Sequence, residues 1–269
     1  MIEETVKQSI LQTLRDIEVQ HQVRILYACE SGSRAWGIHS SDSDYDVRFI
    51  YARPASAYLR LDVPRDVIER PISGDLDVSG WDVFKALRLL RKSNPSLFEW
   101  LFSPVNYLES SPVIGQLRGI AIQHFSEAAV FCHYRHMASG NYRQYIASKN
   151  PVLLKKYLYV VRPLVALLFL EKQRTLSPVY FPLTLYRVDL ESEVRQAIED
   201  LIERKQNGDE LGMGAPNPLL NAWIDDLLTR WSKIPDDLNK VQSMTPRLNE
   251  ALSVILAETS AVESLGEKG

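Results

Sequence analysis

The chain has 269 residues, 45% of them hydrophobic and 24% charged, with a formal net charge of −3. Such a composition excludes disordered and fibrous classes, and the acidic balance excludes a protein that coats nucleic acid by charge alone, while leaving room for a local basic groove. The two cysteines, Cys29 and Cys132, have apolar neighbours and no ligand spacing, so they fit neither a disulfide framework nor a zinc site and are expected to be buried and reduced.

At the N-terminus, Ile2, Val6, Ile10 and Leu14 recur at helical spacing behind the acids Glu3 and Glu4. This predicts an amphipathic helix and not a secretion signal, so a cytoplasmic protein is expected. The run Val23 to Cys29 is short, apolar and bounded by a Ser/Gly turn, as a buried strand would be. Asp44 to Tyr51 reads as a second strand, with Val47, Phe49 and Tyr51 on one face and Asp44, Asp46 and Arg48 on the other. A third candidate strand, Asp75 to Val78, follows a stretch broken by Pro71 and Gly74.

From Asp82, placed as an N-cap, the apolar spacing turns helical for the rest of the chain. Helices are predicted near 82–92, 96–102, 111–138, 151–173, 190–206, 217–231 and 246–259. The most apolar run, Val160 to Leu170, is too short to cross a bilayer and contains Arg162 and Pro163, so no membrane association is expected. The expected fold is α+β: a small mixed-sheet domain over residues 1–105, then a helical domain over 106–269.

The chemistry concentrates between Glu30 and Asp46. Gly32 lets the backbone pass close to a ligand, and the amides of Gly32, Ser33 and Arg34, opening a short helix after a strand, could hold phosphate oxygens. On its own a Gly-Ser turn is more often only a turn. Asp44 and Asp46, two apart on a strand, project from one face and can share divalent cations. A phosphoryl transfer assisted by two metal ions needs carboxylates that fix one ion on the triphosphate and another that lowers the pKa of the attacking hydroxyl. Asp77, apolar on both sides in Leu-Asp-Val, is the choice for a third acid; Asp75 shares its strand face, and Asp82 is explained as a cap.

The Gly-Ser turn, the Asp-x-Asp pair and the later acid resemble the polymerase-beta nucleotidyltransferase superfamily. The stretches Gly32 to Gly37, Ser43 to Arg48, Gly80-Trp81-Asp82 with Lys85-Ala86-Leu87, Asn94-Pro95 with Glu99-Trp100-Leu101, and Lys155-Lys156-Tyr157 with Arg162-Pro163-Leu164 are similar to predicted nucleotidyltransferases associated with RNA ligases. The resemblance runs over roughly residues 22 to 225. It implies a phosphate-binding turn at Gly32 and Ser33, metal ligands at Asp44 and Asp46, and an activating acid at Asp77.

Between Ala128 and Leu170 there is no Asp or Glu, while Arg135, Arg143, Lys149, Lys155, Lys156, Arg162, His133 and His136 all fall there. On a helix over 151–173, Lys155, Tyr159 and Arg162 share a face and could clamp a triphosphate and stack on its base; a solvated basic face over packed tyrosines is the competing reading. His133 and His136 lack a further ligand for a metal, and Lys85, Arg88 and Lys92 form a weaker candidate stripe for an acceptor strand.

The expected activity moves a nucleoside monophosphate from a nucleoside triphosphate to a hydroxyl on an RNA end, a protein or a small molecule. Pyrophosphate leaves, and magnesium, or manganese in its place, is the expected cofactor. The alternative is an inactive nucleotide-binding sensor or interaction module of the same fold.

Overall fold

In the computed structural model, the described residues are 2–62, 64–72, 74–208, 211–239 and 243–266. The elements in chain order are α1 (Glu4–His21), β1 (Arg24–Glu30), α2 (Gly32–Ala35), β2 (Tyr45–Ala52), a 3-10 turn (Ala55–Leu59), β3 (Val67–Glu69), β4 (Leu76–Asp82), α3 (Val83–Arg91), α4 (Pro95–Leu101), β5 (Asn106–Glu109), α5 (Val113–His124), α6 (Glu127–Tyr145), β6 (Val152–Leu153), α7 (Lys155–Gln173), α8 (Phe181–Arg187), α9 (Ser192–Gln206), β7 (Met213–Gly214), α10 (Pro218–Arg230) and α11 (Thr245–Gly266). The fold is α+β, as expected.

The chain divides into two compact units: Met1–Gly32 with Asp44–Phe125 and Gln242–Gly269, and Ser33–Ser43 with Ser126–Val241. The first holds a five-stranded sheet of order β3-β4-β2-β1-β5. Only β2 and β4 run parallel; the other neighbours are antiparallel. Alternation along β2 sends Val47, Phe49 and Tyr51 into a core with Ile10, Leu14 and Ile17 of α1, and leaves Asp46 and Arg48 on the other face. At the end of β4, Asp82 caps α3 by accepting from the Phe84 amide at 2.9 Å.

Several expectations need correction. The second strand begins at Tyr45, so Asp44 stands just before it, and the third runs to Asp82, well past Val78. The single helix expected over 111–138 is two, because Ser126 takes up the Ala129 amide as a new N-cap and the chain turns at Phe125. Strands also occur beyond residue 82: β5 joins the sheet edge, and β6 pairs with β7. Cys29 is buried as expected, Cys132 only partly, and both are free thiols.

The second unit is helical. Its centre is α7, whose residues from Tyr157 to Leu170 are nearly all buried. α6 packs along it, and Trp231 is anchored by its indole N–H donating to Glu171 at 2.6 Å.

Candidate active site

In the sheet unit, the main chain around Asp46 is fixed from both directions by the end of β1. The Asp46 amide donates to Glu30 Oε1 at 2.8 Å, and the Ser31 amide donates to the Asp46 carbonyl at 2.8 Å. Glu30 is fully buried, and its second carboxylate oxygen accepts from the Tyr107 hydroxyl. Ser103 Oγ donates to the Glu30 carbonyl at 2.6 Å. A buried carboxylate is tolerable only when such donors satisfy it. Glu30 and Tyr107 therefore position Asp46 from beneath.

Gly32 follows directly, with φ +60°, a conformation that side-chain-bearing residues rarely adopt. A Cβ there would sit 1.9 Å from Asp46 Oδ2, so the turn lies against the carboxylate and only glycine allows it.

The parallel register pairs Asp46 with Asp77, which sets the two carboxylates on one face of adjacent strands. Arg48, two residues beyond Asp46, joins them: its Nη2 donates to Asp46 Oδ1 at 3.1 Å and to Asp77 Oδ2 at 2.7 Å. Its Nη1 donates to the carbonyls of Val47 at 3.1 Å and Asp77 at 3.0 Å. The carboxylates keep 28% and 34% of their side-chain surface open and the guanidinium 18%, so the cluster is accessible without being superficial.

The other acids are placed differently. Asp44 is exposed, one residue ahead of β2. Asp75 is exposed, and its carbonyl accepts from the Tyr45 amide at 2.7 Å. Asp82 is buried and held by the Phe84 amide and by the Tyr58 hydroxyl at 3.0 Å. Burial raises its pKa above the usual carboxylate range, against the pull of those two hydrogen bonds. Among the described residues, no three His, Cys, Asp or Glu side chains gather closely enough to hold a metal ion.

The remaining candidates lie in the helical unit, to which Ser33–Ser43 belongs. Arg34 donates to the carbonyls of Ser43 at 2.6 Å and Ser41 at 3.4 Å, bracing the connection from inside. The Trp36 carbonyl accepts from the Phe181 amide at 2.9 Å, and the Gly37 carbonyl from Gln206 Nε2 at 2.9 Å. Arg162, only 9% exposed, lays its guanidinium 3.8 Å from the Trp36 ring centroid. Tyr159 meets the same indole edge-on at 5.9 Å. Lys156 lies between the rings of Tyr145 and Tyr159, at 4.3 and 4.8 Å. Lys155, the first residue of α7, is exposed and lines a cavity of about 400 Å³ with Lys205, Ser40 and Asp42. Burial, and then the positive charge of Arg34, lower the pKa of His39 below the usual imidazole value.

Residues 6–253 match the family described as RlaP, the RNA repair pathway DNA polymerase beta family. The chain belongs to this family. It is also 41% identical over 247 residues, 91% of this chain and 95% of the relative, to YcgL of Bacillus subtilis (strain 168), itself described as uncharacterized. A crystal structure of a nucleotidyltransferase-like protein from Exiguobacterium sibiricum 255-15 aligns over 81% of this chain and 74% of that one, at 12% identity and a TM-score of 0.35, a likeness too distant to carry an argument.

Glu30, Tyr107, Arg48 and Trp36 had no role assigned by sequence reasoning. Arg48 left a signal, since it shares the Asp46 strand face. Glu30 left a weaker one, an acid closing an apolar strand. Trp36 left one only as part of the Gly32 to Gly37 stretch, and Tyr107, which acts through a partner distant in the chain, left none.

Proposed function

We propose that the protein is a nucleotidyltransferase that moves a nucleoside monophosphate from a nucleoside triphosphate to a hydroxyl acceptor. The carrying observation is the Asp46–Asp77 pair in parallel register, with the Gly32 turn lying against the Asp46 carboxylate. Family membership supports the same reading.

In the proposed reaction the acceptor oxygen bonds to the α-phosphorus, the bond from that phosphorus to the α–β bridging oxygen breaks, and pyrophosphate leaves. Asp77 takes the acceptor's proton and passes it to solvent. The turn at Gly32 and Ser33, with Arg34 bracing it, receives phosphate oxygens. Lys155 offers an exposed cation to phosphate, while Tyr159 and Arg162 hold Trp36 and so the chain beyond Ser33.

The pair of carboxylates suits a hard divalent cation, and a guanidinium already lies between them as a stand-in positive charge. Asp46 and Asp77, with Asp44 as a third candidate, would hold magnesium or manganese, which would neutralise triphosphate charge and make the acceptor hydroxyl more acidic.

An RNA end is the proposed acceptor, from the family's description as an RNA repair pathway group. Among the described residues no helix is long and apolar enough to cross a membrane, and a cytoplasmic location is proposed. One observation favours the second reading, a nucleotide-binding module without transfer: Arg48 occupies the place between the carboxylates.

The test is intact-mass analysis of RNA oligonucleotides bearing a 3′-hydroxyl, incubated with each nucleoside triphosphate and magnesium or manganese. A gain of one nucleoside monophosphate, absent with Asp46→Asn, is expected. Nucleotide binding with no gain by RNA, protein or small-molecule acceptors would establish the non-transferring module instead.

A further inference from the structure

We propose that Arg48 is a resident counter-cation of the Asp46–Asp77 pair and makes binding of a divalent metal conditional on the nucleoside triphosphate. The proposal rests on the reading of these two carboxylates as metal ligands.

A single nitrogen, Nη2, spans both carboxylates at 3.1 and 2.7 Å, while Nη1 is tied to two main-chain carbonyls at 3.1 and 3.0 Å. The guanidinium is thus fixed to the strands themselves, and the planar fork of arginine suits that arrangement where the single point of a lysine does not. Two carboxylates forced together by strand register repel each other, and Arg48 relieves that repulsion without any bound ion.

The same arrangement opposes a metal arriving alone. A divalent cation that seeks Asp46 Oδ1 and Asp77 Oδ2 must displace Nη2 from both. It also meets a net charge of −1 from the three side chains, where the carboxylates alone would present −2. A triphosphate changes both terms. It brings anionic oxygens that share the metal, and it offers the displaced guanidinium a phosphate partner of matching geometry. By linkage, metal and triphosphate then each raise the other's affinity by the same factor. Arg48 is a positioning residue in this account, and its signature is an equilibrium one.

The experiment titrates Mn²⁺ into the full chain and reads free Mn²⁺ by electron paramagnetic resonance, with and without an α,β-methylene nucleoside triphosphate, and counts as protein-bound only the Mn²⁺ taken up beyond what the same concentration of analogue binds in protein-free solution. Wild type is expected to bind Mn²⁺ weakly alone and much more tightly with the analogue. Arg48→Gln is expected to bind Mn²⁺ alone about tenfold more tightly than wild type, and to gain less from the analogue. Arg48→Lys, which keeps the charge but cannot span both carboxylates, is expected to fall between them.

A merely structural role for Arg48 would not raise metal affinity. If Arg48→Gln binds Mn²⁺ no more tightly than wild type, while Asp46→Asn loses binding, the counter-cation proposal is overturned and the metal-ligand reading stands. If wild type binds no Mn²⁺ even with the analogue, both are overturned. Should Arg48→Gln fail to fold, Arg48→Lys decides: Mn²⁺ affinity unchanged from wild type overturns the proposal.

Discussion

Replacing Gly32 by alanine isolates the contact on which the site depends. The added Cβ would lie 1.9 Å from Asp46 Oδ2 and 2.8 Å from its Cγ, where real Cβ atoms hardly ever come within 3.0 Å of another heavy atom. The carboxylate oxygen must therefore retreat by about 1 Å, and because Oδ1 of the same group is held by Arg48, the retreat strains that ion pair as well. Misplacement of a reacting group by about 1 Å costs on the order of a hundredfold in rate. The left-handed backbone, φ +60°, adds about 1–2 kcal/mol to the cost of folding. For a chain of this size that lowers the melting temperature by roughly 2–8 °C.

Gly74→Ala is the matched control, because Gly74 has φ +58° with nothing within 4 Å of the added Cβ. Both variants are expected to lose thermal stability by circular dichroism through the shared positive φ, Gly32→Ala the more because of its clash with Asp46, whereas only Gly32→Ala loses nucleotidyl transfer. Equal transfer by the two variants would refute the role given to the Gly32–Asp46 contact.

Glu30→Ala strands two buried donors, the Asp46 amide and the Tyr107 hydroxyl, and is expected to cost about 2–5 kcal/mol by urea denaturation. Glu30→Gln, which keeps an acceptor while the Tyr107 hydroxyl can turn to accept from the new amide, is expected to cost less than half as much; equal losses would contradict the pairing. Burial raises the Cys29 thiol pKa above its unfolded value, so its contribution to stability is full below about pH 8.5 and falls as pH rises beyond that. Tyr51, pushed up to about 12 chiefly by burial, extends the loss above about pH 10. Urea midpoints followed against pH are expected to fall from about pH 8.5 in wild type and only from about pH 10 in Cys29→Ala. At pH 8 a thiol reagent is expected to modify Cys132 quickly and Cys29 only on unfolding. In the helical unit, a double-mutant cycle of Trp36→Ala and Arg162→Met is expected to show coupling of about 1–2 kcal/mol; additive losses would remove Arg162 as the support of Trp36.

The elements that sequence reasoning located carry a local periodic signal. β2 alternates apolar and polar residues from Tyr45, and the face predicted for Asp46 and Arg48 is the one found. The pairing of Asp46 with Asp77 is another matter. It depends on β4 lying parallel to β2 across a connection interrupted by Pro71 and Gly74, and no residue in either strand announces that register. The four-residue edge strand β5 has only Tyr107 and Leu108 as apolar signal and reads as loop. Ser126 is a recognisable cap, but the apolar spacing on either side conceals the turn that it marks. Arg162 was legible as a cation on a helix, whereas its burial against Trp36 comes from residues 126 positions apart in the chain. Glu30 shows the same limit: an acid at a strand end is ordinarily solvated, and only the tertiary approach of Tyr107 makes it a buried support.

The claim that this chain transfers a nucleotidyl group is tested most directly by following α- and γ-labelled nucleoside triphosphate side by side, with magnesium and a hydroxyl-ended RNA. The account predicts α-label bound covalently to the acceptor and γ-label recovered in pyrophosphate, with both signals lost in Asp46→Asn. Release of γ-label as inorganic phosphate with no α-label in the acceptor, or transfer undiminished in Asp46→Asn, would contradict it.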